Sequence, residues 1–490
     1  TKTRLLVKNP AWPLRSTAPV NNSKYLQAPF PRGLFYIFPR LRVPMPRPQL
    51  HQFIHFAELF FPLLLTQFAL VGSSLFSSIF SGNAGTVDLA GVAVAANIWY
   101  PVFAGSCGIA FGISPIIAQL RGAHKEEDIP VYIAQGMYVA FALTAVILLL
   151  AFLFLEPLLA LLHLEPAVQA ISKQYLFALA FGILPLFIQA TLRYAVDAHG
   201  MTYLSMAVLM TNLILSTALF RLFVFGGFCF PALGGAGTGY AITTAAWITC
   251  IVFIIILYFK KPFRQYRLWS RFRPFSWVHC REQLRLGLPI FVAVFCETSL
   301  FSIVGLLMSE FGTLYLAANQ AAISYSTLVY TVPWSISLAA TIVVGYEVGA
   351  GNREGALQYD IICGLTSLLT VCLTAFTTFT LLDPIAAMFT HDAETFKTIR
   401  VFLIFALIFS VFDALGTPVQ GMLRGYKDVK IITYVAFSTY WLIAIPSGWI
   451  LAHYTAFGPY GYWLSLVIGL AVNAVILNGR LWLYTGRRPL

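Results

Sequence analysis

Residues 60–123 and 287–350 lie over each other without a gap at a constant offset of 227 residues, with eleven identities in 64 positions. Pro62 pairs with Pro289, Phe68 with Phe295, Gly85-Thr86 with Gly312-Thr313, Leu89-Ala90 with Leu316-Ala317, and Gly122-Ala123 with Gly349-Ala350. Apolar composition alone supplies several such matches. The weight rests on the glycine punctuation kept in register between hydrophobic runs. The same offset later sets Asp197-Ala-His-Gly on Arg424-Gly-Tyr-Lys, each closing a hydrophobic run. A chain built from two similar membrane halves is the sequence signature of a secondary transporter.

A bilayer core of about 30 Å is crossed by about 20 apolar residues in helical form. Twelve such runs are centred near residues 65, 103, 143, 180, 213, 248, 296, 332, 370, 408, 440 and 471. The expected fold is therefore an all-α integral membrane protein of twelve transmembrane helices in two six-helix bundles. Six is even, so both halves enter the bilayer in the same sense, and a pseudo-two-fold axis along the membrane normal relates them. The expected bounds are a basic, Pro-rich tail at 1–50, a first half at 51–259, a linker at 260–285 and a second half at 286–490. The first methionine is Met45, and residues 1–44 are expected to be a disordered tail or upstream sequence with no role in transport.

Composition excludes a water-soluble globule: only 10% of residues are charged, against about 25% in soluble proteins. The net charge of +12 is a matter of placement and leaves nothing for nucleic acid. Of the 31 Lys and Arg, only Lys173, Arg221, Lys397 and Arg400 fall on one side of the predicted spans. The basic side is the cytoplasm by the positive-inside rule, which puts both termini there. The linker carries eight Lys or Arg interleaved with Trp269, Phe272, Phe275 and Trp277, a composition suited to the headgroup level.

Ionisable groups within a span cost about 2.5–3.5 kcal/mol each on insertion scales, so the few present are informative. Glu297 is read about nine residues into the seventh span and Asp413 in the second half of the tenth. Neither has an acidic counterpart at the repeat offset, where Leu70 and Leu186 stand. Each could be a packing carboxyl bonded to a neighbouring helix. Confined to one half, the two also form a candidate cage for a proton or Na⁺. Asn319, Gln320 and Tyr325 belong to a polar cluster in the eighth span, able to bond a substrate or another helix. Prolines 62, 115, 185, 289, 333 and 418 permit bends.

Other chemistries find no support. The seven cysteines are an odd, scattered set without Cys-x-x-Cys, and are read as packing residues. There is no His-x-x-x-His set and no phosphate loop ending in Lys-Ser/Thr. The glycines of 234–239 lack the following lysine and are read as a turn. No enzyme constellation and no cofactor are expected, apart from a coupling ion.

Asp88-Leu-Ala-Gly-Val-Ala, Ala118-Gln-Leu-Arg-Gly-Ala and Asp197-Ala-His-Gly carry a resemblance in the first half. Ala317-Ala-Asn-Gln-Ala, Val344-Gly-Tyr-Glu-Val-Gly-Ala-Gly-Asn and Gln420-Gly-Met-Leu-Arg-Gly-Tyr-Lys-Asp carry it in the second. In this order and spacing the chain resembles the multidrug and toxic compound extrusion (MATE) family, in its NorM-like bacterial branch, over about residues 52–485. The resemblance implies a V-shaped pair of bundles in the bacterial plasma membrane, working as a monomer. It implies efflux of cationic, amphipathic drugs driven by inward Na⁺ or H⁺. Glu297 and Asp413 fall on the acids of that family's second-half cation site. The family's usual acid in the first helix is absent, for Ser77 stands in its place.

Three readings follow. An ion-coupled antiporter for organic cations fits two acids with no basic residue expected near the central cleft. A flippase for a lipid-linked saccharide would need a basic cavity for its polyanionic cargo. A membrane-embedded transferase or protease would need a surface constellation that is missing. The basic asymmetry makes a testable topology: a cysteine at Gly85 should label from outside, and one at Gln265 only after permeabilisation. The opposite pattern refutes it.

Overall fold

The computed structural model describes residues 48–487, apart from 163, 228–230, 269–272 and 391. Met45 and the tail before residue 48, with Trp269 and Phe272 of the linker, lie outside the described residues. The regular structure is helical because a bilayer offers no partner to an open backbone group. The spans are α1 (Leu50–Ala84), α2 (Thr86–Gly122), α3 (Ile129–Leu161), the bent α4 (Pro166–Ala180 with Ile183–Ala198), α5 (Thr202–Phe225) and α6 (Gly234–Phe259). They continue as α7 (Trp277–Phe311), α8 (Thr313–Gly349), α9 (Arg353–Thr380), α10 (Ala393–Gly425), α11 (Val429–Tyr454) and α12 (Tyr460–Gly486). Eleven are continuous, and α4 becomes the twelfth as a pair bent by 51°.

Sequence chemistry explains the breaks. Pro185 has no N–H for the carbonyl of Phe181, so the α4 ladder opens there. The indole of Trp247 donates to that carbonyl instead, at 3.1 Å. Pro418 frees the carbonyl of Ala414 in α10 in the same way, and the Ser367 hydroxyl takes it up. Single glycines join α1 to α2 and α7 to α8, at repeat-related Gly85 and Gly312. Gly312 has a φ of +96°, which a side chain would oppose.

The seventh helix begins at Trp277, inside the stretch read as linker. The sequence disguises this because Arg281 and Arg285 sit on the exposed face of the extension, while Cys280, Gln283 and Leu286 are buried. Helix α3 holds this extension. Gln135 bonds the carbonyl of Pro274 and the N–H of Ser276, both at 3.0 Å. Tyr132 donates to Glu282 at 2.5 Å, and Lys427 to the other oxygen of the same carboxylate at 3.1 Å.

The two halves meet along α2 and α8. A Cβ placed on Gly122 would lie 1.9 Å from the carbonyl oxygen of Tyr346, and one on Gly349 would lie 2.1 Å from that of Gln119. These contacts exchange under the 227-residue offset, since 119 corresponds to 346 and 122 to 349. They realise the pseudo-two-fold axis as backbone touching backbone. At this end, which also holds the 260–276 connection, the seam is shut: residues 108–118 of α2 and 335–345 of α8 are buried. Gln119 also donates to the carbonyl of Gly425 across it at 2.8 Å, and Gln52 to Gln358 at 2.6 Å. Toward the other end Asn97, Tyr100, Gln320, Ser324 and Thr327 are exposed, so the halves part into a cleft.

Substituting Gly122→Val should therefore wedge the shut end apart. Overpacking of this kind costs about 1–3 kcal/mol. The expected result is a lower melting temperature in detergent, together with new thiol reactivity of a cysteine at Ser114, which is buried in the parent.

Candidate functional site

Glu297 lies near the middle of α7 and Asp413 near the middle of α10, and the fold brings them within each other's electrostatic range. Asp413 is buried and accepts from the Thr417 hydroxyl at 2.7 Å, one turn further along α10. Pro418, the next residue, removes a backbone donor from the helix there. Glu297 is half-buried, and the phenol of Tyr330 on α8 faces its carboxylate. Tyr440 on α11 sits near both acids and is buried. It belongs to a π-helical stretch, Phe437–Ala444, in an otherwise α-helical span. Such widened turns occur often at functional sites.

Carboxylates, a threonine hydroxyl and phenols are oxygen donors, the set that suits a proton or a hard cation such as Na⁺. Among the described residues no three His, Cys, Asp or Glu gather as a metal cluster. Two like charges in a site of low dielectric repel each other, and a bound cation relieves that repulsion.

Residues that sequence reasoning passed over complete the surroundings. No basic group was expected near the central cleft, yet Arg424 is fully buried at the shut seam. Its Nη2 donates to Gln420 at 3.0 Å and its Nη1 to Ser337 at 3.3 Å. Its guanidinium carbon lies 5.1 Å from the ring centre of Trp334 and 5.5 Å from that of Phe111. The run Leu-Arg-Gly-Tyr-Lys reads as a wet helix end, but α2 of the other half covers it. Glu347, near the end of α8 where a charge would ordinarily be solvated, is buried too and accepts from Asn352 at 2.7 Å. Tyr330 and Tyr440 had no signal beyond being aromatic in apolar runs.

The polar cluster on α8 divides. Asn319 is buried, and its carbonyl oxygen accepts from the indole of Trp463 at 2.8 Å. Tyr325 is half-buried and its hydroxyl is engaged with Thr378. Gln320 is exposed. None of the three joins the acidic pair in a described contact; Asn319 and Tyr325 bond other helices. Ser77 is buried on α1. Asp88 accepts from the N–H of Gly235 at 2.5 Å, tying α2 to the turn that opens α6.

Two six-helix repeats, shut at one end and parted at the other, with a pair of carboxylates near mid-span, make a membrane transporter rather than an enzyme. The MatE family model matches residues 62–223 and again 289–450, two matches separated by the same 227 residues as the internal repeat. A "Probable multidrug resistance protein NorM" of Halalkalibacterium halodurans is 40% identical over 87% of this chain and 93% of its own. One of the same name from Bacillus cereus is 41% identical over 87% and 94%. The crystal structure of the eukaryotic MATE transporter AtDTX14 superimposes with a TM-score of 0.80 at 20% identity, over 90% of this chain and 98% of that one. The chain belongs to the MatE family, and its twelve spans are those of a multi-pass membrane transporter.

The Asn319 contact separates packing from lining. Asn319→Leu should leave the Trp463 N–H unpaired and cost about 1–3 kcal/mol of stability, read as a lower melting temperature. The spectrum of exported compounds should not change.

Proposed function

We propose that the chain is a secondary antiporter of the plasma membrane, exporting cationic amphipathic drugs or toxic organic cations in exchange for Na⁺ or H⁺. The observation that carries this reading is the Glu297–Asp413 pair, one acid buried and the other half-buried near mid-span, on one half only and beside the seam where the halves must move. An anionic site selects cations. A bound cation drives a conformational change only through a difference in its affinity for the two states.

The end bearing the basic 260–276 connection is taken as cytoplasmic from the basic asymmetry. The cleft then opens to the outside, the state in which an exported compound leaves and the coupling ion enters. The polypeptide acts as a monomer, since one chain supplies both halves of the seam. The relatives' printed names, which speak of multidrug resistance, support the cargo class. A lipid-linked saccharide as cargo is less well supported. Arg424, the fully buried cation at the seam among the described residues, is already engaged by Gln420, Ser337 and two rings.

In membrane vesicles ethidium efflux should respond to an imposed Na⁺ gradient or an imposed pH gradient, and the responding gradient names the ion. Glu297→Gln and Asp413→Asn retain shape while removing charge. Both should insert normally, and each should reduce gradient-driven efflux to background. Wild-type rates in both variants would refute the site.

A further inference from the structure

Among the described residues Arg424 is the fully buried guanidinium, and it touches both halves of the molecule; Arg121 of α2, only half-buried, also reaches the seam, over the ring of Tyr346. On its own side it lies against Trp334, which stacks on Tyr330 with ring centres 5.9 Å apart and planes 22° from parallel. Tyr330 in turn faces the carboxylate of Glu297. On the other side Arg424 lies over Phe111 of α2. Phe111 meets Tyr194 of α4 edge-on at 4.9 Å, and the guanidinium of Arg193 lies 4.6 Å from the Tyr194 ring centre. A chain of paired rings with Arg424 between the pairs thus runs from the acidic pair, across the shut seam, into the first half.

Among the described residues no carboxylate touches Arg424, and its Nε has no partner. The ionisable groups whose fields reach it are Tyr330, Glu297 and Tyr194. The acid whose field balances its charge is therefore Glu297, across the ring of Tyr330. The repeat does not supply this cation twice, because Asp197 stands at the corresponding position of α4.

We propose that Arg424 is the resident counter-charge that makes closure of the linker end depend on occupancy of the Glu297–Asp413 pair. This rests on the reading of that pair as a cation site. With the pair ionised and empty, its negative charge offsets the cost of holding Arg424 dry, and the guanidinium pins Phe111 across the seam. A cation at the pair cancels part of that charge and repels Arg424. An undercompensated buried charge is strongly unfavourable where it is fully desolvated. Opening the linker end admits water to Arg424 and relieves it. Cation entry from the cleft side then favours opening at the opposite side, the direction that an antiport cycle requires. Arg424 acts here as a positioning residue.

The test places spin labels at Lys125→Cys and Glu354→Cys, exposed positions on opposite sides of the shut end, in a Cys372→Ser background. The probe is whichever of Na⁺ and H⁺ drives ethidium efflux. In the parent, adding it should lengthen the label distance. In Arg424→Gln the distance should no longer respond, and efflux should fall about tenfold or more because the cation no longer distinguishes the states. Cation affinity should rise about threefold or more, since a like charge near the pair has been removed. A merely structural lesion would weaken binding and transport together. Unchanged or weaker affinity, or a retained distance response, overturns the proposal.

If Arg424→Gln fails to insert, Phe111→Leu serves. It keeps the charge but removes the ring, so the labels should separate without added cation, and cation affinity should rise with them, since a cation that favours the open state is in turn bound better by it. A parent-like closed distance in that variant overturns the proposal equally. If the parent itself shows no response to either cation, the antiport reading falls, and this role with it.

Discussion

The contact of α2 with α8 at the linker end is the constraint on which the rest of the molecule depends. Lipid gives helices no hydrophobic reason to associate, so close packing must come from small residues that let backbones approach. Gly122 and Gly349 supply this at repeat-related positions, each against a carbonyl of the other helix. Because the same four residues meet through a pseudo-two-fold axis, the contact is self-consistent and hard to satisfy part-way. Helices pressed together at one end and less closely packed at the other leave a cleft. The same pressure seals Arg424 and the inner turns of α2 and α8 away from water.

Against that near-symmetric backbone the chemistry is one-sided. Leu70 and Leu186 occupy the first-half positions of Glu297 and Asp413, and Asp197 occupies that of Arg424. Duplication supplies two bundles that meet along one shared seam. Divergence places the acids, the π-helical stretch and the buried guanidinium in the second bundle alone. An ion acting on one bundle can then bias a seam that both bundles share, which a strictly symmetric molecule could not do with a single site.

Energetically the site is held by compensation. Asp413 is stabilised by Thr417, and the proline beside it frees a carbonyl that Ser367 satisfies. Glu282 is clamped between Tyr132 of one half and Lys427 of the other. Groups of this kind are costly to bury and costlier to leave unpaired. Their partners come from separate helices, so each polar group doubles as a register for the packing around it.

Spans and repeat were legible in the chain because both are local or periodic: run length reports a crossing, and a constant offset reports duplication. The two acids were legible because a carboxylate in an apolar run is expensive wherever the run packs. What a polar residue touches is a different matter. Asn319 and Gln320 are neighbours in sequence, yet one is buried against Trp463 and the other exposed. Arg281 and Arg285 made a helical extension look like a loop, because charge on a helix's wet face resembles charge in a linker. Arg424 and Glu347 sit where a helix should end in water, and only the arrival of other segments takes the water away. Sequence by itself determined the number of crossings, their two-fold repetition and the presence of a rare acidic pair. Burial and pairing depend on which distant helix covers a given turn, so the tertiary structure alone decided the shut seam and the guanidinium inside it.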